Sequence, residues 1–329
     1  MGKFSKYVEI GDPIDTRGGL EKGMITAVEK NDKIVLVSTD MGGPGVKWFA
    51  MNAPDRIIEC GIAEANSAVV AAALAAEGFI PVLSGFVMSN IARSYNQIRQ
   101  SILVDRFNVK MIAREGAWGE LGVSHNYVEG IAATRVMPNL VILNPADITE
   151  AEKIMLATMD YVGPVFIKIE SSFSPLPLRI FSEDYPFDIG KSHTVKDGAD
   201  VTIIATGYML TEAIKASEIL DKEGIDLRII NMSTIKPLDD EAVIKAAEET
   251  GAIVTAENTS IIGGLGEAVA AVLVENIPTP MVMVGIEDEF SQSGRITKEV
   301  DELKTHFRLG AEDVASAVKE CIAKKNRKR

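Results

Sequence analysis

The stretch 56-RIIECGIAEANSAVVAAALAAEG-78 determines how the first half of the chain folds. Two β-branched residues, Ile57 and Ile58, lead through a turn at Gly61 into a long alanine-rich segment that favours a helix. Glu64 stands at the point where the strand gives way to the helix. A strand that leads into a helix is the repeating unit of an α/β domain, and this position places Glu64 at the sheet edge in apolar company.

The remainder of the chain repeats this alternation of strand and helix. The predicted strands of the first half are 34–38, 80–85, 109–113, 140–145 and 164–170, and the predicted helices are 63–78, 89–104 and 148–160, the last capped by Asp147. A second, smaller series of strands follows at 200–207, 226–232, 252–258 and 280–286. Near-continuous apolar strands joined by helices indicate parallel sheets that are covered on both faces.

We therefore predict an α/β protein of two domains, at residues 1–185 and 186–329, each a mainly parallel sheet flanked by helices. The boundary is placed by the stretch 171–190, which contains several prolines and polar residues and has no periodicity. The length of 329 residues agrees with this division, because single domains commonly contain about 100 to 150 residues.

The composition excludes several classes of protein. A formal net charge of −13 argues against a surface that binds nucleic acid, which needs clustered lysine and arginine. The two cysteines, Cys60 and Cys321, lie in unrelated contexts and indicate neither a disulfide framework nor a zinc site. The apolar runs are too short for a membrane span. We expect a soluble, cytoplasmic enzyme.

Two residues are candidates for chemistry on local sequence alone. Glu64 combines a carboxylate with apolar surroundings, which suits proton transfer, but a glutamate in the first turn of a helix is equally favoured by the helix dipole. His125 lies in the glycine-rich stretch 114-REGAWGELGVSHNYVEG-130, which lets the backbone approach a ligand closely. We interpret His125 as an acid-base or hydroxyl-orienting group rather than an incidental surface histidine.

Five segments together resemble the transketolase family in their order and spacing, over nearly the whole chain. They are RIIECGIAEANS (56–67), RSYNQIRQSI (93–102), GVSHN (122–126), MPNLVILNPAD (137–147) and ENTSIIGGLGEAV (257–269). The resemblance implies a thiamine-diphosphate-binding fold, with the pyrimidine-binding domain followed by the transketolase C-terminal domain. It also implies a transferase that moves a two-carbon ketol unit from a ketose to an aldose.

The resemblance carries roles to individual positions of this sequence. Glu64 is expected to contact the cofactor aminopyrimidine and activate the cofactor, and His125 to orient the substrate. By position, Met41 resembles the apolar residue that supports the bent cofactor, Asp40 a nearby polar contact, and Phe86 an aromatic residue beside the pyrimidine.

Two arginines and a missing motif complete this set of expectations. Arg17, in DTRGG, resembles a family arginine that binds the anionic end of the sugar, and Arg114 could assist it. The family's magnesium-diphosphate motif, a GDG followed by an asparagine, does not occur in this sequence. We expect no metal ligand on this chain, and a separate N-terminal subunit that holds Mg2+ and the diphosphate in a heterotetramer (α2β2).

Three positions depart from the family pattern and bear on the substrate. Leu121 stands where an acidic residue usually contacts a sugar hydroxyl, Ser171 where a phosphate-binding arginine is expected, and Ser89 in place of a second aromatic residue. A leucine cannot accept a hydrogen bond from a hydroxyl, so the donor ketose is expected to be modified or differently charged.

Two other functions remain open from the sequence. The β subunit of a 2-oxoacid dehydrogenase has the same two domains and also presents a glutamate to thiamine diphosphate. A non-catalytic scaffold subunit is the alternative from a different class. The joint presence of Glu64, His125, Asp40 and Arg17 favours an enzyme, since a scaffold has no chemical need for them.

Overall fold

The apolar runs of the first half build a seven-stranded sheet in the computed structural model. The model describes residues 2–40, 42–118, 122–170, 175–292 and 299–327, without the side chains of 85–90 and 299–301. The strands are β1 (Ile34–Ser38), β2 (Ile57–Glu59), β3 (Ile80–Val87), β4 (Lys110–Arg114), β5 (Val141–Leu143), β6 (Val165–Ile169) and β10 (Thr234–Lys236). Their order is β10-β5-β6-β4-β3-β1-β2, and every pairing is parallel except that of β10 with β5. The carboxyl ends of the parallel strands therefore meet at one edge.

Helices cover both faces of this sheet. They are α1 (Arg17–Val28), α2 (Val46–Asn52), α3 (Glu64–Ala76), α4 (Met88–Arg93), α5 (Tyr95–Gln97), α6 (Gly130–Arg135) and α7 (Ile148–Asp160), with a 3₁₀ turn at Pro54–Arg56 and a π-helical turn at Ile98–Leu103. Neighbouring residues of β1 point to opposite layers: Leu36 belongs to the core with Leu20 of α1, and Val37 to the core with Ala68 of α3.

The second domain is a five-stranded sheet in the order β12-β11-β8-β9-β7. Its strands are β7 (His193–Lys196), β8 (Val201–Ala205), β9 (Leu227–Asn231), β11 (Ile253–Ser260) and β12 (Met281–Ile286). Its helices are α8 (Met209–Lys222), α9 (Asp240–Thr250), α10 (Leu265–Asn276), α11 (Glu299–His306) and α12 (Ala311–Arg327). Only the edge strand β7 runs antiparallel to its neighbour among the described strands of this sheet.

Two buried carboxylates join the domains at the start of α7. Asp147 caps the helix by accepting a hydrogen bond from the Glu150 amide at 2.7 Å. The second oxygen of Asp147 accepts from the amides of Ile180 and Phe181, at 2.7 and 2.8 Å, in the segment between the domains. Glu150 then accepts from Asn231 of β9 at 2.7 Å. A single helix start thus holds the interdomain segment and the second sheet.

The predicted fold class is confirmed, and each strand predicted from an apolar run is present. Two short strands, β7 and β10, were not predicted. The predicted helix 89–104 is divided into α4, α5 and the π-helical turn. The boundary at 185/186 stays a prediction, and β10 crosses it, because this strand follows the boundary in sequence but pairs with β5 of the first sheet. In the described part of the chain no helix has the length and apolar character needed to span a bilayer.

We predict that Asp147→Ala lowers the free energy of unfolding by about 3 kcal/mol, since it removes a helix cap and leaves buried amides without acceptors. Denaturant unfolding measures this loss. Asp160→Ala, at the exposed last residue of the same helix, is the control and should change stability by less than about 0.5 kcal/mol. Equal effects of the two substitutions would contradict the role assigned to Asp147.

Candidate active site

Glu64 lies at the carboxyl edge of the first sheet, as the first residue of α3. The partial positive charge of a helix N-terminus favours a carboxylate at this position. Its side chain is 12% exposed, and Oε1 accepts a hydrogen bond from Nη1 of Arg93 at 2.9 Å. Among the described residues, no hydrogen bond to Oε2 is recorded. The site therefore presents a half-paired carboxylate at the sheet edge.

Arg93 forms an ion pair with Glu64, and its positive charge also acts on the pKa of His125. Arg93 ends α4, the helix that follows β3, and its side chain is 59% exposed. Partial burial lowers the pKa of His125, and the positive charges of Arg114 and Arg93 lower it further. Nδ1 of His125 also lies 2.9 Å from the hydroxyl of Ser124. Burial and the charges of two guanidinium groups therefore act together to disfavour the imidazolium form of His125.

The carboxylate of Glu59 binds backbone amides of two turns close to Glu64, one that follows β1 and one that precedes α3. Its Oε1 accepts from the backbone amides of Asp40 at 2.8 Å and Gly61 at 2.7 Å. Burial acts to raise the pKa of Glu59, but the hydrogen bonds that it accepts, chiefly from the amides of Gly61 and Asp40, outweigh burial and lower the pKa. The ionised carboxylate fixes Asp40, which has a left-handed φ of +59°, close to the start of α3.

The remaining predicted site residues differ in how directly they are placed. Arg17 begins α1 and forms an ion pair with Asp15 at 2.5 Å. Within the described residues, no hydrogen bond or ion pair joins Arg17 to Glu64 or His125. Arg114 ends β4, and its positive charge helps to lower the pKa of His125. Met41, Leu121 and Ser171 lie outside the described residues, as do the side chains of Phe86 and Ser89. Their roles stay predictions.

Glu115, directly after Arg114, is a buried acid that contacts the start of α6. Its Oε1 accepts from the Ile131 amide at 2.7 Å, whereas Oε2 has no hydrogen-bond partner in the part of the chain that the structure describes. Burial raises the pKa of Glu115 to about 8, and the charge of Lys168 only partly opposes this effect. Glu115 is therefore mainly protonated at neutral pH.

Sequence reasoning missed two residues of this edge. Arg93 lies in the quoted helix RSYNQIRQSI, and its place after the carboxyl end of a predicted strand was the available signal. Glu59 lies within the opening stretch, but its partners are backbone amides, which no side-chain pattern reveals. The described residues contain no group of three or more histidine, cysteine, aspartate or glutamate side chains that could hold a metal ion.

Comparison with known proteins identifies the two domains. Residues 12–172 match the transketolase pyrimidine-binding domain, and residues 190–314 match the transketolase C-terminal domain. The chain belongs to the transketolase family. A solved family structure described as a split gene transketolase, inactive beta4 tetramer, superposes with a TM-score of 0.84 and is 36% identical, covering 95% of this chain and 99% of that one.

Curated members of the transketolase family of similar length include two that are named as subunits. The 6-deoxy-6-sulfo-D-fructose transketolase subunit SqwH of Clostridium sp. is 38% identical over 92% of this chain and 93% of its own length. A subunit of the apulose-4-phosphate transketolase of Phocaeicola vulgatus is 34% identical over 92% of this chain and 95% of its own length.

A transketolase pyrimidine-binding domain implies thiamine diphosphate, and the residues at the sheet edge fit it. An aminopyrimidine ring nitrogen needs one carboxyl oxygen, and Oε2 of Glu64, on a largely buried side chain, accepts no hydrogen bond from the described residues. The other contact of Glu64 is to the exposed side chain of Arg93, which is able to move aside.

We predict that Arg93→Gln raises the pKa of His125, because it removes a positive charge that disfavours the imidazolium. A histidine NMR titration measures this shift, and the chain has only three histidines to assign. Arg99→Gln, an exposed arginine in the same helical stretch, is the matched control. A pKa of His125 that is the same in both variants would remove Arg93 from the site.

We also predict that Glu115→Gln flattens the dependence of stability on pH. Folded Glu115 keeps its proton up to about pH 8, whereas the unfolded chain releases it near pH 4.5. Between these values the folded state binds more protons, so the free energy of unfolding falls as pH rises, by up to about 1.4 kcal/mol per unit. Denaturant unfolding between pH 5 and 8 compares the variant with the wild type.

The exposed residue Glu248 supplies the control for this pH series, as Glu248→Gln. Its carboxyl group is in solvent, so the substitution should leave the slope of stability against pH unchanged. If Glu115→Gln has the same slope as the wild type, Glu115 is ionised in the folded protein and the explanation by burial fails.

Proposed function

We propose that this chain is the C-terminal subunit of a split, thiamine-diphosphate-dependent transketolase. The observation that carries the proposal is the cluster of Glu64, Arg93 and His125 at the carboxyl edge of a pyrimidine-binding domain. Its relatives of equal length are named as transketolase subunits, which supports a separate N-terminal partner. In this proposal the partner holds Mg2+ and the diphosphate, and two copies of each subunit form the enzyme.

Each residue of the cluster has a separate task in this proposal. When bound, thiamine diphosphate supplies a nucleophilic carbon that accepts a two-carbon unit from a ketose. Glu64 binds the aminopyrimidine and exchanges a proton with its ring nitrogen. His125, whose pKa is lowered by partial burial and then by the charges of Arg114 and Arg93, donates a hydrogen bond to a substrate hydroxyl or accepts one from it. Asp40 and Glu59 fix the turns that border the aminopyrimidine.

The charges of the site favour an anionic donor ketose. The positive charges of Arg93 and Arg114 act on His125, and a guanidinium group has the planar donors that suit a phosphate or a sulfonate. The relatives named for a sulfo-fructose and for apulose 4-phosphate support a donor of this class. Leu121 and Ser171, which replace polar residues of the family pattern, favour a donor other than the common sugar phosphates.

A turnover assay tests the function. The chain is mixed with its N-terminal partner, thiamine diphosphate and Mg2+, and ketose donors that carry phosphate or sulfonate groups are offered with an aldose acceptor. Two-carbon transfer only from the mixture supports the proposal. Acyl transfer to a lipoyl group would instead indicate a 2-oxoacid dehydrogenase, and cofactor binding without turnover of any donor would indicate a scaffold.

We predict that Glu64→Gln lowers kcat of the reconstituted enzyme by roughly 10³-fold, because an amide cannot exchange a proton with the aminopyrimidine. The matched control is Glu77→Gln, at the exposed C-terminal end of the same helix, which should keep wild-type turnover. Calorimetric titration with the cofactor separates loss of chemistry from loss of binding. Full turnover of Glu64→Gln would rule out the assigned role.

A further inference from the structure

The second domain contacts the loop that carries His125, residues 114–129, on both sides of that histidine. We call the part before His125 the first limb and the part after it the second limb. On the first limb, the Ala117 amide donates to the carbonyl oxygen of Asn258 at 2.9 Å. On the second limb, the carbonyl oxygen of Val128 accepts from the Ser260 amide at 2.7 Å. Asn258 and Ser260 both belong to β11 of the second domain. One strand of the second domain therefore contacts the loop on each side of His125.

Two further hydrogen bonds hold the loop, one between its two limbs and one from a residue next to His125 to the second domain. The Gly116 amide donates to the Tyr127 carbonyl at 2.8 Å, which joins the two limbs. Nδ2 of Asn126, next to His125, donates to the Gln292 carbonyl of the second domain at 2.9 Å. The position of His125 thus depends on contacts across the domain interface rather than on its own domain alone.

A buried polar triad lies beneath the first limb. Lys168 and Glu170 project from the same face at the end of β6, and Nζ of Lys168 lies 2.5 Å from Oε1 of Glu170. Asn258 accepts from Nζ of Lys168 at 3.0 Å and donates through Nδ2 to both oxygens of Glu170 at 3.0 Å. The three side chains are almost fully buried. Each one is partnered by the other two, as buried charges require.

Gly116 shows how tightly this triad is packed against the loop. Its φ of +135° is one that only glycine adopts readily. A Cβ atom at this position would lie 2.8 Å from Nδ2 of Asn258 and 3.0 Å from Oε2 of Glu170. The loop backbone therefore rests directly on the amide and carboxylate groups, so a change in their spacing moves the loop.

We propose that Asn258 is a positioning residue for His125, through which the second domain sets the geometry of the active site. Its backbone carbonyl holds Ala117, and its side chain fixes the Lys168–Glu170 pair on which Gly116 rests. The consequence for turnover rests on the function proposed above, whereas the consequence for the loop does not. This separation decides the choice of experiment.

Asn258→Asp is the test variant, and Asn231→Asp is its matched control. Asn231 is also buried in the second domain and also donates to a buried glutamate of the first domain, Glu150, at 2.7 Å. Both substitutions replace an amide donor with a carboxylate that faces another carboxylate. Both should lower stability, but Asn231 contacts α7, away from the loop.

Hydrogen exchange of the full-length chain measures the state of the loop. We expect Asn258→Asp to speed exchange in the described residues 115–118 and 122–129 by at least roughly tenfold, and Asn231→Asp to leave them as in the wild type. The double variant Asn258→Asp with Glu170→Gln exchanges the amide and the carboxylate, keeps a partner for Lys168, and should restore slow exchange.

Activity of the reconstituted enzyme provides the second readout. Asn258→Asp should lower kcat by roughly 10- to 100-fold with cofactor affinity unchanged, since a displacement of about 1 Å has effects of this size. The double variant should recover most of kcat. Equal exchange of the loop in the two single variants, or no recovery in the double variant, would overturn the proposal. If the wild-type pair transfers no two-carbon unit, the proposed function fails, and hydrogen exchange alone decides the role of Asn258.

Discussion

The carboxylate of Asp147 is the interaction on which the arrangement of the two domains depends. Its two oxygens satisfy the first turn of α7 and two amides of the interdomain segment. The neighbouring Glu150 reaches Asn231 of the second sheet. A parallel sheet brings helix starts and strand ends to one edge, so a single acid at that edge can fix a helix, a linker and a neighbouring domain.

The interface between the domains contains several buried polar and charged side chains. Lys168, Glu170 and Asn258 form one satisfied triad, and Glu150 and Asn231 form part of another network. Apolar residues of similar volume would often give equal or greater stability at such positions. Directional hydrogen bonds, in contrast, permit few alternative orientations of the domains. We infer that these groups specify how the domains fit together more than how tightly they hold.

The sequence predicted most of the fold because its signals were local. Apolar runs such as 34–38 and 164–170 became buried strands, and the capping position of Asp147 marked the start of α7. The strands β7 and β10 could not be predicted, since they are short and gain their stability from partners far away in sequence. Glu64 and His125 were predicted to share a site; Arg93 pairs with Glu64, and its charge acts on the pKa of His125. The role of Asn258 could not be predicted from the sequence, because it depends on contacts that Asn258 makes with the other domain.

The strand β10 has a consequence for the synthesis of the protein on the ribosome. Because Thr234–Lys236 form the edge strand beside β5, β5 itself remains an exposed edge until more than two thirds of the chain has been made. The N-terminal segment also lacks its partner until Lys196 has been made, because Phe4 pairs with that residue. An exposed sheet edge attracts other strands. A nascent chain paused between the domains is therefore the species most in need of chaperone protection, and neither domain reaches its final form long before the other.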